Sequence, residues 1–320
     1  MWDEHKIYTI RVEKFDDFIE CLECFGSIWL FRGHTDAEWS LSTSLERAYK
    51  DYYKETEKNL EQSSSEVYKQ FMKLVLPRLE YENEIAAIKK YQRLANLQEP
   101  QYIVEILARM QHYGTPTRLL DVTPSFLLAL FFAFDGYSEK DRAVWAFRKP
   151  FFYDTSELAK HNKCVSFDDP ENGAEKYEIL LSNKESLYEA CLRETENYFH
   201  SEEPYTSSTK KVILPLQVMG NNPRLIAQNG EFLCPSTLDT FENHLLSVLG
   251  INKTEYDEST TKVLDLNDVF GDKFPSATVI KMVFPIAFRR EAEKLLTAAN
   301  LSARSVYPDE IGLAKSIRYW

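Results

Sequence analysis

The chain has 320 residues and a net charge of −12. It is long enough for one or two domains and too acidic for the broad basic surface that non-specific nucleic-acid binding needs. Hydrophobic residues make up 44% and charged residues 28%, the balance of a globular protein, and no run reaches the roughly 18 apolar residues of a membrane span. Met1–Lys6 lacks a basic start followed by an apolar stretch, so the expectation is a cytoplasmic protein with no membrane partner. The acidity still leaves room for a local basic groove, and for a basic partner protein.

The pattern from Asp16 to Phe25 predicts an amphipathic helix within residues 14–25. Cys21 and Cys24 lie inside it as a C-x-x-C pair, one of several cysteines that total five. No second pair or His pair stands at metal spacing, so reduced thiols are expected. Trp29-Leu30-Phe31-Arg32-Gly33-His34 reads as a buried strand ending at Arg32. An unpaired guanidinium in such a place is costly. Arg32 is therefore placed to hold a carboxylate or phosphate in bidentate fashion; an internal Asp or Glu partner is the alternative. Gly33 would allow a turn or the close approach of a ligand.

Residues 39–49 begin hydroxyl-rich and become helical, with Ser42 or Ser44 as N-cap. Residues 50–66 read as a solvated helix end or loop. From Glu66 to Gln98 the apolar spacing predicts two helices interrupted near Pro77. A further helix is expected over 101–112, ended by Gly114 and Pro116. Asp121 or Thr123 would open the next helix, with Pro124 at its first position. That helix, from Ser125 to Phe134, is apolar all round and so central. Strands are expected over 143–147, 211–218 and 277–284, and a helix over 286–299 with Ala292, Leu295 and Leu296 on one face. Residues 150–210 are acidic and polar, the expected insertion. The sum is an α+β fold in a single domain over 1–320, with a mixed or antiparallel central sheet, flanking helices, a helical insertion at about 50–110 and a polar one at about 150–210.

Two further segments carry polarity beside core. Gln111, His112, Arg118, Asp121 and Thr123 crowd into one turn before the apolar helix, which calls for a satisfied network or a site. His112 is a candidate hydrogen-bond donor or general base, or a cap on a carbonyl. Arg118 and Asp121 are either pocket residues or an internal pair. In Pro223–Phe232, Asn229-Gly230 marks a hairpin-type turn, while Gln228 and Glu231 are candidate site residues. No P-loop, dinucleotide glycine fingerprint, H-E-x-x-H or G-x-S-x-G is present.

Together these segments resemble the FRG domain family, named for its aromatic-Arg-Gly signature. The matching stretches are Phe31-Arg32-Gly33, Leu41 to Arg47, and Gln111-His112-Tyr113-Gly114 with Pro116-Thr117-Arg118-Leu119-Leu120-Asp121 and Thr123. They continue with Arg224, Gln228, Gly230 and Phe232, and end with Tyr307-Pro308-Asp309 and Gly312-Leu313-Ala314. Val122 stands where the family more often has an aromatic residue. The motif order is also similar to that of divergent ADP-ribosyltransferases. That resemblance implies an ADP-ribosyltransferase-like core and NAD as substrate, with no metal. It implies an effector or toxin that modifies nucleic acid, RNA foremost, or protein in anti-phage defence, with a cognate antitoxin or chaperone as partner. The catalytic candidates are then Arg32, His112, Gln228 and Glu231. The NAD-binding candidates are Arg32, Gly33, Ser44, Gln111, Gly114, Thr117, Arg118, Asp121 and Thr123. Two rival functions stand beside this one. The first is a metal-free nuclease or phosphodiesterase with His112 as base and Arg32 and Arg118 on phosphate. The second is a non-catalytic module that binds a nucleotide or phosphate. Fold-level analogy alone does not decide among them.

Overall fold

The computed structural model describes residues 7–22, 25–55, 84–97, 102–155, 211–218, 223–236, 240–251, 263–264 and 278–317. The expectations for residues 1–6, 56–83 and 156–210, and for the Cys21/Cys24 pair, lie outside the described residues or side chains. In chain order the strands are β1 (Ile7–Arg11), β2 (Trp29–His34), β3 (Leu120–Val122), β4 (Arg142–Arg148), β5 (Ile213–Gln217), β6 (Glu231–Pro235), β7 (Val263–Leu264) and β8 (Val279–Phe284). The helices are α1 (Phe15–Cys21), α2 (Ser44–Glu55), α3 (Glu84–Leu94), α4 (Ile103–His112), α5 (Phe126–Phe134), α6 (Lys149–Thr155), α7 (Pro223–Ala227), α8 (Phe241–Val248), α9 (Arg289–Ala298), α10 (Ala303–Val306) and α11 (Glu310–Ile317). A 3-10 turn, Ile286–Phe288, leads into α9.

This is an α+β architecture with a mixed sheet. The larger sheet has the order β2-β4-β8-β1-β7, and the smaller one β3-β6-β5. Pairing is antiparallel from β2 through β4 to β8, and parallel where β1 meets β8 and β7. The two sheets touch at one bridge. The Phe31 amide donates to the Thr123 carbonyl at 2.7 Å and the Thr123 amide returns to Phe31 at 2.9 Å. The edge of β2 is thereby covered by the end of β3, which removes an open edge.

Strand alternation divides β2 into two faces. Trp29 and Phe31 pack with Phe126, Ala129 and Ala133 of α5 in one core. Leu30 points the other way, into a core shared with Val122, Leu233, Trp145 and Phe147 that lies between the sheets. Helix α5 is apolar on every side because it has neighbours on every side. Ala129 and Ala133 face β2, while Leu128 and Phe131 meet Leu296, Val306 and Tyr307 of the C-terminal segment.

Several local expectations are corrected. Helix α2 is capped by Thr43, not by Ser42 or Ser44. The Glu46 amide donates to Thr43 Oγ1 at 3.3 Å, and Glu46 Oε1 accepts the Thr43 amide at 3.2 Å. This is a reciprocal capping box. Residues 120–122 form a strand rather than a helix start, and Ser125 caps α5 by accepting the Leu128 amide at 3.3 Å. Asn229-Gly230 does not make a hairpin. Asn229 takes a φ of 43° just after α7, and the Gly230 amide returns to the Leu225 carbonyl at 2.8 Å, so the pair ends a helix before β6. Gly114 ends α4 as expected, with a φ of 90° and the Thr115 amide bonded to the Met110 carbonyl at 2.9 Å. Strands β1, β3 and β7 and helices α6, α7, α8, α10 and α11 were not foreseen; all are short.

Glu46 serves a second helix as well. Its Oε1 accepts the Phe241 amide at 2.8 Å, an N-terminal donor of α8. Glu46 is buried, so its loss strands donors that water cannot reach. Glu46→Ala is expected to cost about 2–4 kcal/mol of unfolding free energy in urea titration. A variant as stable as the parent would show that the shared cap is idle.

Candidate functional site

The even-numbered face of β2 turns from core to polar within one step. Leu30 is fully buried, and Arg32 and His34 follow it on the same side. The Arg32 side chain is 15% exposed. Its Nε donates to His34 Nε2 at 3.1 Å, and its Nη1 donates to the Asp121 carbonyl at 2.7 Å. The Asp121 carboxylate stands 3.7 Å from Nη1 but is 57% exposed, so the pair is loose and solvent-screened. Among the described residues Nη2 has no partner. Burial lowers the pKa of Arg32 and Arg47 adds to this, while Asp121 opposes them. The group stays charged, because an arginine cannot be deprotonated in a protein.

His34 is the residue that holds this arginine in place. It is 5% exposed. Burial first, and then the charges of Arg32, Lys281 and Arg47, push its pKa down to about 3; the Trp39 backbone offsets them only in part. The imidazole is therefore neutral at physiological pH. Because Nε2 accepts from Arg32, the ring proton sits on Nδ1.

A chain of hydrogen bonds runs away from Arg32. Gln111 Nε2 donates to Asp121 Oδ1 at 2.6 Å, and Thr117 Oγ1 donates to Gln111 Oε1. Ser44 Oγ accepts the Thr117 amide at 2.9 Å and donates to the Thr117 carbonyl at 3.1 Å. The start of α2, the end of α4, β3 and β2 are tied together by side chains that satisfy one another. Ser44, Gln111, Thr117, Asp121 and Arg32 thus come together as expected, but the first three spend their bonds internally.

The other candidates lie apart from this cluster. Gly33 has no positive φ and faces α5, on the side of β2 opposite Arg32; a Cβ there would stand 2.0 Å from the Ala129 carbonyl oxygen. Its part is helix packing, not ligand approach. Arg118 is buried and donates at 3.3 Å to the carbonyls of Pro235 and Ser236. Thr123 is buried, bridges to Phe31 and accepts the Ser125 amide at 3.2 Å. Gly114 is an exposed helix terminus. His112 is partly exposed, with a pKa lowered by burial and Arg224 and raised by Asp309. It belongs to the C-terminal side, where Arg224 lies 5.1 Å over the Tyr307 ring. Gln228 is there too, its amide donating to the Val306 carbonyl at 3.4 Å. Glu231 is buried and paired with Lys149 at 2.7 Å.

Register nonetheless puts Glu231 in line with Arg32. Glu231 is opposite Val122, and one step along the Phe31–Thr123 bridge sets Val122 opposite Arg32. On the other side Arg32 is opposite Trp145, Trp145 opposite Lys281, and Lys281 opposite Thr9. One row across both sheets thus holds Glu231, Arg32, Trp145, Lys281 and Thr9 above an apolar row of Leu30, Phe147, Val279 and Ile7. Lys281 Nζ lies 5.2 Å over the Trp145 ring, and the buried Trp145 Nε1–H has no hydrogen-bond partner among the described residues. Among the described residues neither Lys281 nor Arg47 has a carboxylate partner. Sequence reasoning missed His34, Trp145 and Lys281. The signals were present: a His two residues after Arg32, and a lone Lys inside an apolar strand.

Residues 27–142 match the FRG domain family. The matched FRG segment contains the whole Arg32 network, from Phe31 through Thr43 to Thr123. The Arg224–Phe232 and Tyr307–Ala314 stretches, and Lys281, fall outside it. No curated protein and no solved structure matches the chain.

Proposed function

We propose that the Arg32 face binds the phosphates of NAD and that the protein is an ADP-ribosyltransferase-like enzyme. One observation carries the reading: a chain of net charge −12 gathers Arg32, Arg47 and Lys281 around His34 and, among the described residues, gives them one loose carboxylate, Asp121. Positive charge left uncompensated and partly desolvated is a site for an anion, and guanidinium is the best fit for phosphate. The neutral His34 leaves the charge undiluted and fixes the guanidinium plane.

Of the two acidic or amide candidates for the ribose, Glu231 supports the reading better, since it shares the cross-sheet row with Arg32 while Gln228 is bonded to Val306. In the reaction the bond from ribose C1′ to nicotinamide breaks and its electron pair leaves with the nicotinamide. An acceptor oxygen or nitrogen then bonds to C1′ and loses its proton to water. A carboxylate at the ribose hydroxyl favours the oxocarbenium-like transition state. Glu231 would serve there once it exchanges Lys149 for ribose.

The test is incubation of the full chain with NAD and separate pools of RNA, DNA and protein, followed by mass spectrometry. An ADP-ribosyl mass gain in one pool is expected. Its rate should fall about 100-fold or more in Arg32→Ala and Glu231→Gln. Absence of any adduct and of nicotinamide release in every pool would overturn the transferase, and shortened nucleic acid with no use of NAD would replace it with the nuclease reading.

A further inference from the structure

We propose that Lys281 is the second phosphate contact of this site, and that the site selects a diphosphate, as in a dinucleotide, over a monophosphate. The inference rests on Arg32 being a phosphate contact.

Arg32 and Lys281 lie on one face of one sheet, two strands apart with Trp145 between them. Neighbouring strands are spaced by roughly 4.8 Å, so the two backbones are about 10 Å apart. Both side chains are long, and Lys281 reaches toward Arg32, its Nζ lying 5.2 Å over the ring of the intervening Trp145. Two cations on strands spaced in this way can each take one of two joined phosphates. Lys281 is held over the indole of Trp145. A lysine bound to a ring face keeps its three N–H donors for a ligand, whereas a lysine held by a carboxylate would not. Beneath it the buried Trp145 Nε1–H has no partner among the described residues, a further donor on the same row. The neighbouring row of Leu30, Phe147 and Val279 is apolar and buried, so it forms a dry floor that strengthens charge recognition along one side.

Selection by two spaced cations is tested with inorganic anions on the full chain. Pyrophosphate and orthophosphate are titrated by calorimetry at fixed ionic strength. Pyrophosphate is expected to bind about tenfold or more tightly than orthophosphate. Lys281→Gln should weaken pyrophosphate about tenfold more than it weakens orthophosphate and so erase the preference, and Lys281→Arg should keep it. Arg32→Gln should weaken both anions. Thermal unfolding of each variant separates loss of the site from loss of the fold. An unchanged pyrophosphate preference in Lys281→Gln, or no preference in the parent, overturns the proposal. The outcomes remain separable from the transferase reading. Diphosphate preference without nicotinamide release leaves this inference standing and removes the enzyme. NAD turnover that survives Lys281→Gln undiminished does the reverse.

Discussion

Gly33→Ala is expected to destabilise the protein by at least about 4 kcal/mol, enough to leave most of it unfolded or insoluble. The reason is contact between backbones. A Cβ at Gly33 would stand 2.0 Å from the Ala129 carbonyl oxygen and 2.6 Å from the Ala133 nitrogen. Both atoms belong to the main chain of α5, the most enclosed helix of the core, so neither can swing aside as a side-chain tip could. The glycine in the aromatic-Arg-Gly signature lets a helix lie directly on a strand. Gly114→Ala is the control. Nothing lies within 4 Å of its would-be Cβ, but its φ is 90°, so only backbone strain of about 1 kcal/mol is expected. Equal urea midpoints for the two variants would refute this account of Gly33.

The second large effect is loss of stability in acid through His34. The ring has a pKa of about 3 in the folded chain against 6.5 in a free histidine. Between those values the unfolded chain binds a proton that the folded chain refuses. The contribution is therefore complete above pH 6.5 and drains away as pH falls toward 3. The loss reaches about 2 kcal/mol by pH 5 and about 5 kcal/mol in all below pH 3. His34→Gln keeps an acceptor for Arg32 and removes the titration. Unfolding curves at several pH values should show a flatter acid limb for this variant, by about one proton. A His34 ring signal in NMR that titrates near pH 6.5 would contradict the burial argument directly.

Both effects arise within one hexapeptide, and much of that hexapeptide was legible beforehand. The apolar run Trp29–Phe31 announced a buried strand, and a charge after it demanded a partner. The demand was right: Arg32 leans on the carbonyl of Asp121 and on His34, two places along on the same face of the strand. Gly33 was legible as a close approach, but a sequence does not say whether a ligand or a helix does the approaching. The turn around Gln111–Thr123 was recognisable as a network or a site, and its inner members proved to bond mainly to one another. Lys281 was visible as a lone charge in an apolar strand, but its place beside Trp145 and Arg32 was not. Lys281 and Trp145 join Arg32 only through the pairing of three strands, and strand order is not written in any local pattern. Local periodicity found α4, α5 and α9, whose burial depends on their own faces. It missed β3 and β7, which are short and owe their shape to neighbours far along the chain.

The pairing of β1 with β8 sets residues 7–11 beside residues 279–283. Among the described strands the first in the chain thus pairs with the last. Contacts of such sequence separation are closed slowly, and during synthesis β4 and β1 stand with unmade edges on either side of the missing β8. A nascent chain ending before residue 279 lacks both the strand between them and the lysine of the cationic row. Arg32 stands in β2, early in the chain, yet its row is complete only once β8 has taken its place between β4 and β1.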